Sequence, residues 1–452
     1  MRLTGYRRLV ASSLLLATLV RGETRPHYGG TLHIAIQSAP ASLDPAQADW
    51  IASRNLSPLI FDTLITLDRR GQPLPALATS WQEEPGSQRW QIALRPGVTF
   101  QDGTPVTSEA VAASLRTANP TWKVMAGERA LTIERDSPAS DLPAELALPR
   151  NGIAKRDNGK IVGAGAFAVS QFDPGKHLLL GAREDYWGGR PFVDAIEIQL
   201  GRSLREQMIA FDLGKEQIIE VAPELAHGMA AQGRRIESSY PDELVALVFP
   251  QNPQSPEDAL QREALSLSIE RKQLASVLVQ DAGEACGSLL PNWMTGYGVI
   301  FSPEMDLTRA QQERAEIARA SLWNLGFDAN DALERVIAER IVLNAREAGL
   351  RLQLANGASA DLRLMRFSLM GPEAQVALRE LASELGLPVP KFSSNSLDDL
   401  YTAENSLLQS KRVIPLLYLR SAVALSEQVR GWEDHPDGSW RLADIWLNPE
   451  RP

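Results

Sequence analysis

The residue types that most often carry chemistry in proteins are sparse and scattered in this chain. A structural zinc site needs histidine, cysteine or acidic ligands grouped at short, fixed spacings. The five histidines show no such grouping; they are His27, His33, His177, His227 and His435. We therefore expect no metal site, and the sequence calls for no cofactor.

The patterns of nucleophilic catalysis are missing from the sequence as well. The single cysteine, Cys286, has no histidine near it in sequence, and a lone cysteine of this kind usually packs in a core. No serine lies in a G-x-S-x-G elbow. The glycine-rich stretch Gly163–Phe167 is not followed by the lysine and hydroxyl of a phosphate-binding loop. We expect no catalytic residues and no enzymatic activity.

Length, composition and charge narrow the class of protein. The chain has 452 residues, of which 44% are hydrophobic and 23% charged, as in an ordinary globular protein of two or three domains. Its net charge of -10 is opposite in sign to the basic face that nucleic-acid binding needs, so we expect no nucleic-acid partner. One cysteine cannot form an intrachain disulfide, which leaves the redox compartment open.

The first residues have the pattern of an export signal. Arg2, Arg7 and Arg8 precede the apolar run Leu9–Val20, which is too short to span a membrane by itself. This predicts a signal peptide from Met1 to about Gly22 and a periplasmic protein. No cysteine follows the apolar run, so we expect no lipid anchor. The pattern leaves open whether export uses the general or the twin-arginine route.

One long stretch in the first third predicts a strand followed by a helix. Apolar and polar residues alternate over Trp90–Leu94, which is the period-2 pattern of a half-buried strand. Thr107 or Ser108 can cap a helix that buries Val111 and Leu115 on one face.

The second half of the chain contains further strand and helix patterns. The continuous apolar runs Leu244–Phe249 and Val413–Tyr418 predict buried strands. Helical spacing of apolar residues predicts helices over 308–325 and 333–345, and the alternation over Leu350–Leu354 predicts a strand. These elements are the scaffold that would position any binding site.

Three motifs carry a resemblance to a known family. Residues 94–107 read LRPGVTFQDGTPVT and resemble the fixed signature LR.GV.F.DG.P.T of the family 5 extracellular solute-binding proteins. Residues 29–35, GGTLHIA, and 184–191, EDYWGGRP, resemble two further motifs of that family. We expect Tyr186 and Trp187 in the last motif to pack within the protein rather than to stack on a ligand.

The resemblance implies an α/β, two-lobed periplasmic-binding-protein-like fold. It is the type II fold of the large cluster, which carries an extra subdomain in lobe one. The two buried strand runs would cross between the lobes and act as a hinge. The implied organisation is a signal peptide (1–22), lobe one (28–46, 160–248 and 426–452), an inserted subdomain of lobe one (47–159) and lobe two (249–425).

The function implied by the resemblance is that of a periplasmic receptor of an ABC importer. Such a receptor, which we expect to be a monomer, closes on a peptide or similar small solute and delivers it to a permease in the inner membrane. Two alternatives stay open. One is a degenerate relative that acts as a sensor or interaction protein without transport, and the other is a nickel or metallophore receptor.

The resemblance also suggests where a ligand would bind. In peptide receptors of the family an aspartate of lobe two pairs with the α-amino group of the ligand, but residues 368–372 here contain no acid and the nearest is Glu373. The candidate ligand-binding residues are Asp44, Asn252, Arg366, Phe367, Tyr418 and Trp432.

Two segments look shorter than in the family. The resemblance fades over 118–157, where relatives carry a longer subdomain. A strand that relatives place between the helices 308–325 and 333–345 looks deleted near 328–331. Both departures bear on the volume left for a ligand.

Overall fold

The structure is a computed structural model. It describes residues 26–47, 50–157, 159–280, 282–355, 360–392, 394–433, 435 and 438–448. The predicted signal peptide, residues 1–22, lies outside the described residues. No helix in the described part is long and apolar enough to cross a membrane.

The strands follow one another along the whole described chain. Those before residue 164 are β1 (Thr31–Ala35), β2 (Ile65–Leu67), β3 (Pro73–Pro75), β4 (Ala78–Glu83), β5 (Arg89–Leu94), β6 (Lys123–Ala126), β7 (Ala130–Glu134), β8 (Ala154–Asp157) and β9 (Lys160–Gly163). Those that follow are β10 (Phe167–Asp173), β11 (His177–Ala182), β12 (Ala195–Gln199), β13 (Ile218–Val221), β14 (Arg235–Val248), β15 (Gly283–Ala285), β16 (Leu322–Gly326), β17 (Arg351–Ala355), β18 (Leu362–Ser368), β19 (Val413–Leu425), β20 (Val429–Arg430) and β21 (Trp446–Leu447).

Helices alternate with these strands. They are α1 (Trp50–Ile60), α2 (Ser108–Ala118), α3 (Leu142–Glu145), α4 (Leu204–Asp212), α5 (Pro223–Ala231), α6 (Pro256–Ser268), α7 (Arg271–Gln273), α8 (Asn292–Thr295), α9 (Leu307–Glu316), α10 (Ala332–Glu347), α11 (Ala374–Glu384) and α12 (Leu397–Gln409). In α2, Thr107 accepts a hydrogen bond from the amide of Ala110 and Val111 and Leu115 are buried, so the predicted helix start is confirmed. The predicted strand over Trp90–Leu94 is confirmed by β5.

One large mixed sheet runs through both lobes of this α/β fold. Its strand order is β10-β11-β12-β1-β13-β19-β14-β18-β16-β17, and β15 pairs with β19. The strands from β10 to β13 enclose the core of lobe one together with α1, whose Leu56 and Leu59 are buried there. The strands β18, β16 and β17 belong to lobe two, where Ile337 and Ile341 of α10 pack against them. The predicted two-lobed α/β class is confirmed.

A separate sheet with the order β4-β5-β7-β6 forms the inserted subdomain. Trp90 and Ile92 of β5 and Ile133 of β7 are buried against Val111 and Leu115 of α2, so this subdomain has its own core.

The two long strands β14 and β19 pair with each other and connect the lobes. Their ends Arg235–Ser238 and Ala422–Leu425 pair beside β13, whereas Glu243–Val248 pairs with Val413–Leu419 beside β18. Between these halves the register shifts at Pro241, which has no N–H to donate. The lobe boundaries predicted at 248 and 425 stay predictions. From this pairing we propose that the chain crosses nearer to Pro241 and Arg420.

The helix predicted over 308–325 is wrong in its second half. α9 ends at Glu316, and residues 322–326 form β16, which pairs with β17 and β18. Trp323 and Leu325 are buried while Leu322 is exposed, so the local period is two rather than 3.6. The deletion inferred from the resemblance is therefore wrong too, because β16 is a strand between α9 and α10.

The carboxylate of Asp242 joins the elements that meet where β14 and β19 cross between the lobes. It is fully buried; Arg54 of α1 donates to its Oδ2 at 2.9 Å, and Ser239 Oγ and the amide of Ser421 each donate to its Oδ1 at 3.0 Å. Burial raises the pKa of Asp242 and the guanidinium of Arg54 opposes that rise. A side chain at Gly438 would place its Cβ 2.3 Å from Oδ2, so the C-terminal segment closes over this carboxylate.

We expect Asp242→Ala to lower the free energy of unfolding by about 3–5 kcal/mol, because it leaves buried donors without their shared acceptor. Urea unfolding followed by tryptophan fluorescence measures this. The matched control Asp212→Ala removes a half-exposed ion pair with Arg234 and should cost less than about 1 kcal/mol. Equal costs for both variants would contradict a special role of Asp242.

Candidate functional site

A cleft of about 610 Å³ lies where lobe one, the inserted subdomain and lobe two meet. Its walls come from the end of α1, the β2–β3 hairpin, the loop 186–192, the C-terminal segment 435–444 and the start of the α11 region. Aromatic side chains form much of the surface; they are Tyr28, Phe61, Tyr186, Trp187, Phe192 and Trp440. This size and lining suit one small molecule.

Asp62 lies in the wall of this cleft, held by the two aromatic residues of the 184–191 motif. The hydroxyl of Tyr186 donates to Oδ1 at 2.9 Å, and the indole N–H of Trp187 donates to Oδ2 at 2.5 Å. Burial raises the pKa of Asp62 to about 6, although both hydrogen bonds and the charge of Arg183 oppose that rise. Burial and the neighbouring Asp62 carboxylate raise the pKa of Tyr186, so its hydroxyl remains a donor at neutral pH.

Two glycines allow the backbone at the end of β9 to pack directly against the end of α1, next to Asp62. A Cβ on Gly163 would lie 1.9 Å from the carbonyl oxygen of Ile60, and one on Gly165 would lie 2.6 Å from the carbonyl carbon of the same residue. Only glycine fits at these two positions, because any Cβ there would overlap the backbone of Ile60. They bring the strand after β9 against the end of α1 and so fix Asp62 in the wall.

The cations of the cleft are mostly engaged with the protein itself. Arg54 pairs with Asp242, and Arg190 pairs with Glu184 at 2.7 Å and with Asp194 at 2.6 Å. Arg441, which is exposed, donates through Nη2 to the carbonyl of Leu67 at 2.9 Å. Its remaining N–H groups make Arg441 the cation most able to meet a ligand carboxylate.

Lobe two contributes a nonpolar wall. Of the described residues that line the cleft, Gly371 and Pro372 are those that come from lobe two. This agrees with the sequence, since residues 368–372 contain no acid. The polar contacts available to a ligand therefore come from lobe one, the inserted subdomain and the C-terminal segment.

The candidate ligand residues predicted from sequence are dispersed in the structure. Asp44 is buried in a two-pronged ion pair with Arg156, whose Nε lies 2.8 Å from Oδ2; this guanidinium helps hold the pKa of Asp44 below its usual value, against the effect of burial. Arg366 forms ion pairs with Glu243 and Asp331, each with a shortest distance of 2.6 Å. These charges stabilise the protein internally.

The other candidates lie in the core or at the surface. Phe367 and Tyr418 are buried in lobe two, where the Tyr418 hydroxyl donates to the carbonyl of Leu289. Asn252 is exposed and away from the cleft wall. Trp432 packs beside Trp440, with ring centroids 6.1 Å apart, and so lies nearest to the cleft. A ligand role for these residues stays a prediction.

Sequence reasoning missed Asp62, Trp440 and Pro372 as cleft residues, and it gave Tyr186 and Trp187 a packing role. The structure shows that these two rings both pack and line the cleft. The sequence does contain an aromatic-rich loop and an aspartate at a helix end. More than a hundred residues separate the two, however, so no local sequence pattern predicts that they are in contact.

The described residues include neither a reactive thiol nor a cluster of metal ligands. Cys286 is buried and burial raises the pKa of its thiol far above neutrality, so it is a neutral core residue. Among the described residues no group of three or more histidine, cysteine or acidic side chains could hold a metal ion.

Comparisons with known proteins agree with this architecture. The model of the bacterial extracellular solute-binding proteins, family 5 (middle), matches residues 72–379. The chain is 34% identical over 193 residues to the uncharacterised protein YhjP of Bacillus subtilis, covering 39% of this chain and 33% of YhjP. It is 25% identical over 210 residues to the nickel-binding protein NikA of Staphylococcus aureus, covering 43% of this chain and 42% of NikA. These matches span less than half the length of either relative.

A solved structure extends the likeness over nearly the whole chain. The oligopeptide-binding protein AppA of Bacillus subtilis, in complex with a nonapeptide, superposes with a TM-score of 0.78 at 15% identity. The superposition covers 94% of this chain and 100% of that chain. At this level of identity the likeness establishes the fold.

The raised pKa of Asp62 predicts a pH dependence of stability. Between pH 3.8 and about 6 the folded protein holds the Asp62 proton more tightly than the unfolded chain, so this contribution to stability is present at low pH and is lost as the pH rises through 6. Relative to Asp62→Asn, wild type should lose at most about 3 kcal/mol of unfolding free energy from pH 4 to 7. Urea unfolding at each pH measures the difference.

The control for this pH series is Asp102→Asn. Hydrogen bonds from Lys155 and Thr104 hold the pKa of Asp102 at about 2 in the folded protein, whereas the unfolded chain titrates near 3.8, so almost all of its effect on stability develops below pH 4. This variant should follow wild type between pH 4 and 7. If Asp62→Asn also runs parallel to wild type over that range, the pKa of Asp62 is not raised.

Proposed function

Because the chain belongs to the bacterial extracellular solute-binding proteins of family 5, we propose that it is the periplasmic receptor of an ABC importer. It takes up a peptide or a similar small solute between its lobes and presents it to a permease of the inner membrane. It works as an exported monomer, and it is not an enzyme.

The cleft of about 610 Å³ between the lobes is the observation that supports this proposal most directly. Pockets of this size bury one small ligand against mostly apolar walls, with few polar groups to orient it. The aromatic rings of Trp187 and Trp440 supply the apolar surface. Net binding of roughly -8 kcal/mol corresponds to the micromolar affinity expected of a receptor.

We propose Asp62 and Arg441 as the polar anchors of the ligand. Asp62 keeps lone pairs beyond those that accept from Tyr186 and Trp187, and they suit an ammonium group. Arg441, which lines the same cleft, can meet a carboxylate. A zwitterionic solute such as a short peptide offers both groups. Of the residues predicted from sequence, Trp432 is the one that we keep beside this cleft.

We expect Arg441→Ala to weaken the binding of a short-peptide pool by about tenfold or more, because a charge-assisted hydrogen bond contributes about 1.5–3 kcal/mol. Isothermal titration calorimetry on protein stripped of ligand by unfolding and refolding measures it. The control Arg351→Ala removes an exposed arginine of β17, far from the cleft wall, and should bind like wild type.

The same titration separates the alternatives. Saturable binding of a nickel chelate without binding of peptides would favour a metallophore receptor. Failure to bind either class would favour a relative that serves as a sensor or interaction protein. Equal peptide affinity of Arg441→Ala and wild type would contradict the proposed anchor while leaving the receptor function intact.

A further inference from the structure

A second contact between the lobes lies away from the hinge. Helix α11 of lobe two faces α3 and the turn after it in the inserted subdomain. Arg379 of α11 pairs with Asp141 at 2.5 Å and with Glu145 at 3.4 Å. The next residue, Glu380, pairs with Arg150 at 2.6 Å. We call these residues, Asp141, Glu145, Arg150, Arg379 and Glu380, the latch.

The latch is a connected and shielded network. Arg150 also contacts Glu145 at 3.4 Å. Arg150 of the inserted subdomain and Arg379 of lobe two therefore share the Glu145 carboxylate. The side chains of Asp141 and Glu145 are only 4% and 8% exposed, and that of Arg379 is 16% exposed. The guanidinium groups around Glu145 hold its pKa below the usual value in spite of burial. Ion-pair networks that are shielded from water in this way stabilise a protein more than isolated surface ion pairs do.

Apolar contacts continue the same interface. Leu148 of the inserted subdomain packs with Met370 and Val376 of lobe two. Beside them, Ser140 Oγ donates to Asn395 Oδ1 at 2.9 Å. The inserted subdomain and lobe two therefore share a packed surface of apolar and polar side chains.

The cleft offers a ligand much less contact with lobe two. Its described lining includes Gly371 and Pro372 from that lobe, neither of which has a polar side chain. A ligand can shift the equilibrium between open and closed forms only by its differential contacts with the two. Contacts between the lobes themselves, such as the latch, therefore contribute to the free energy of closure beside those of the ligand.

We propose that the latch holds the two lobes closed in the absence of a bound solute. Separating the lobes would take Arg379 away from Asp141 and Glu145 and Glu380 away from Arg150, while Glu145 keeps Arg135 at 2.8 Å and Arg150 at 3.4 Å within the inserted subdomain. Opening therefore breaks the ion pairs that cross the boundary, and only the hydration of the separated groups offsets that loss. Solute access thus requires the latch to open first, and this is independent of which solute the cleft takes.

Small-angle X-ray scattering of the ligand-free full-length protein tests the latch without any ligand. In low salt, wild type should have the radius of gyration of a compact chain of this length, about 22 Å. Arg379→Glu should raise the radius by about 1 Å or more above that compact value. Arg379→Lys, which keeps the charge, should lie between the two.

The matched control is Arg335→Glu in α10 of the same lobe, where an exposed arginine pairs with Glu339. It makes the same charge change without touching the latch and should scatter like wild type. Circular dichroism checks that each variant is folded. If Arg379→Glu does not fold, wild type in about 1 M salt replaces it, because screening to about 3 Å favours separated charges and should expand the protein.

Ligand-free wild type that is already expanded in low salt overturns the proposal, and so does a folded Arg379→Glu with the radius of wild type. Both outcomes are read without solute. They are therefore distinct from a failure of the proposed receptor function, which appears only in the binding titrations.

Discussion

The buried carboxylate of Asp242 is the constraint on which the rest of the structure depends. It lies where β14 and β19 cross between the lobes and accepts hydrogen bonds from both strands. Through Arg54 it also fixes α1, whose end carries Asp62 into the cleft. A buried charge is costly unless several donors share it, so this cluster forms only when strands, helix and C-terminal segment are all in place.

The hinge and the cleft are consequences of that arrangement. Pro241 and the register shifts around it interrupt the ladder between the long strands at the level of Asp242. A few residues can therefore change their backbone angles while the paired halves on either side stay rigid. The cleft opens beside this point, because Arg54, which pairs with Asp242, also lines it, and Gly438 over the carboxylate precedes the lining residue Ser439.

Local patterns predicted much of the fold because they depend on neighbours in sequence. The alternation over Trp90–Leu94, the cap at Thr107 and the apolar runs of β14 and β19 all had the expected outcome. β16 was missed because its apolar residues also fit a helical face, and only pairing with β17 and β18 decides between the two. Tertiary contacts decide such ambiguous segments.

The site was harder to predict for a related reason. Arg366 and Asp44 have the charges of ligand anchors, but partners far away in sequence, Glu243 and Arg156, already engage those charges. Composition cannot reveal whether a charge is paired inside the protein. Asp62 shows the converse, since its place in the cleft wall depends on glycines that let two backbones touch.

The two contacts between the lobes have different physical roles. The Asp242 cluster lies where β14 and β19 cross between the lobes, and it joins both strands to α1. The latch lies away from that crossing, and Pro372 of the cleft wall lies two residues before α11, which carries Arg379. Opening the latch must therefore also withdraw the lobe-two wall from the solute. In this way charge pairs within the protein act on the same motion that contacts with the solute control.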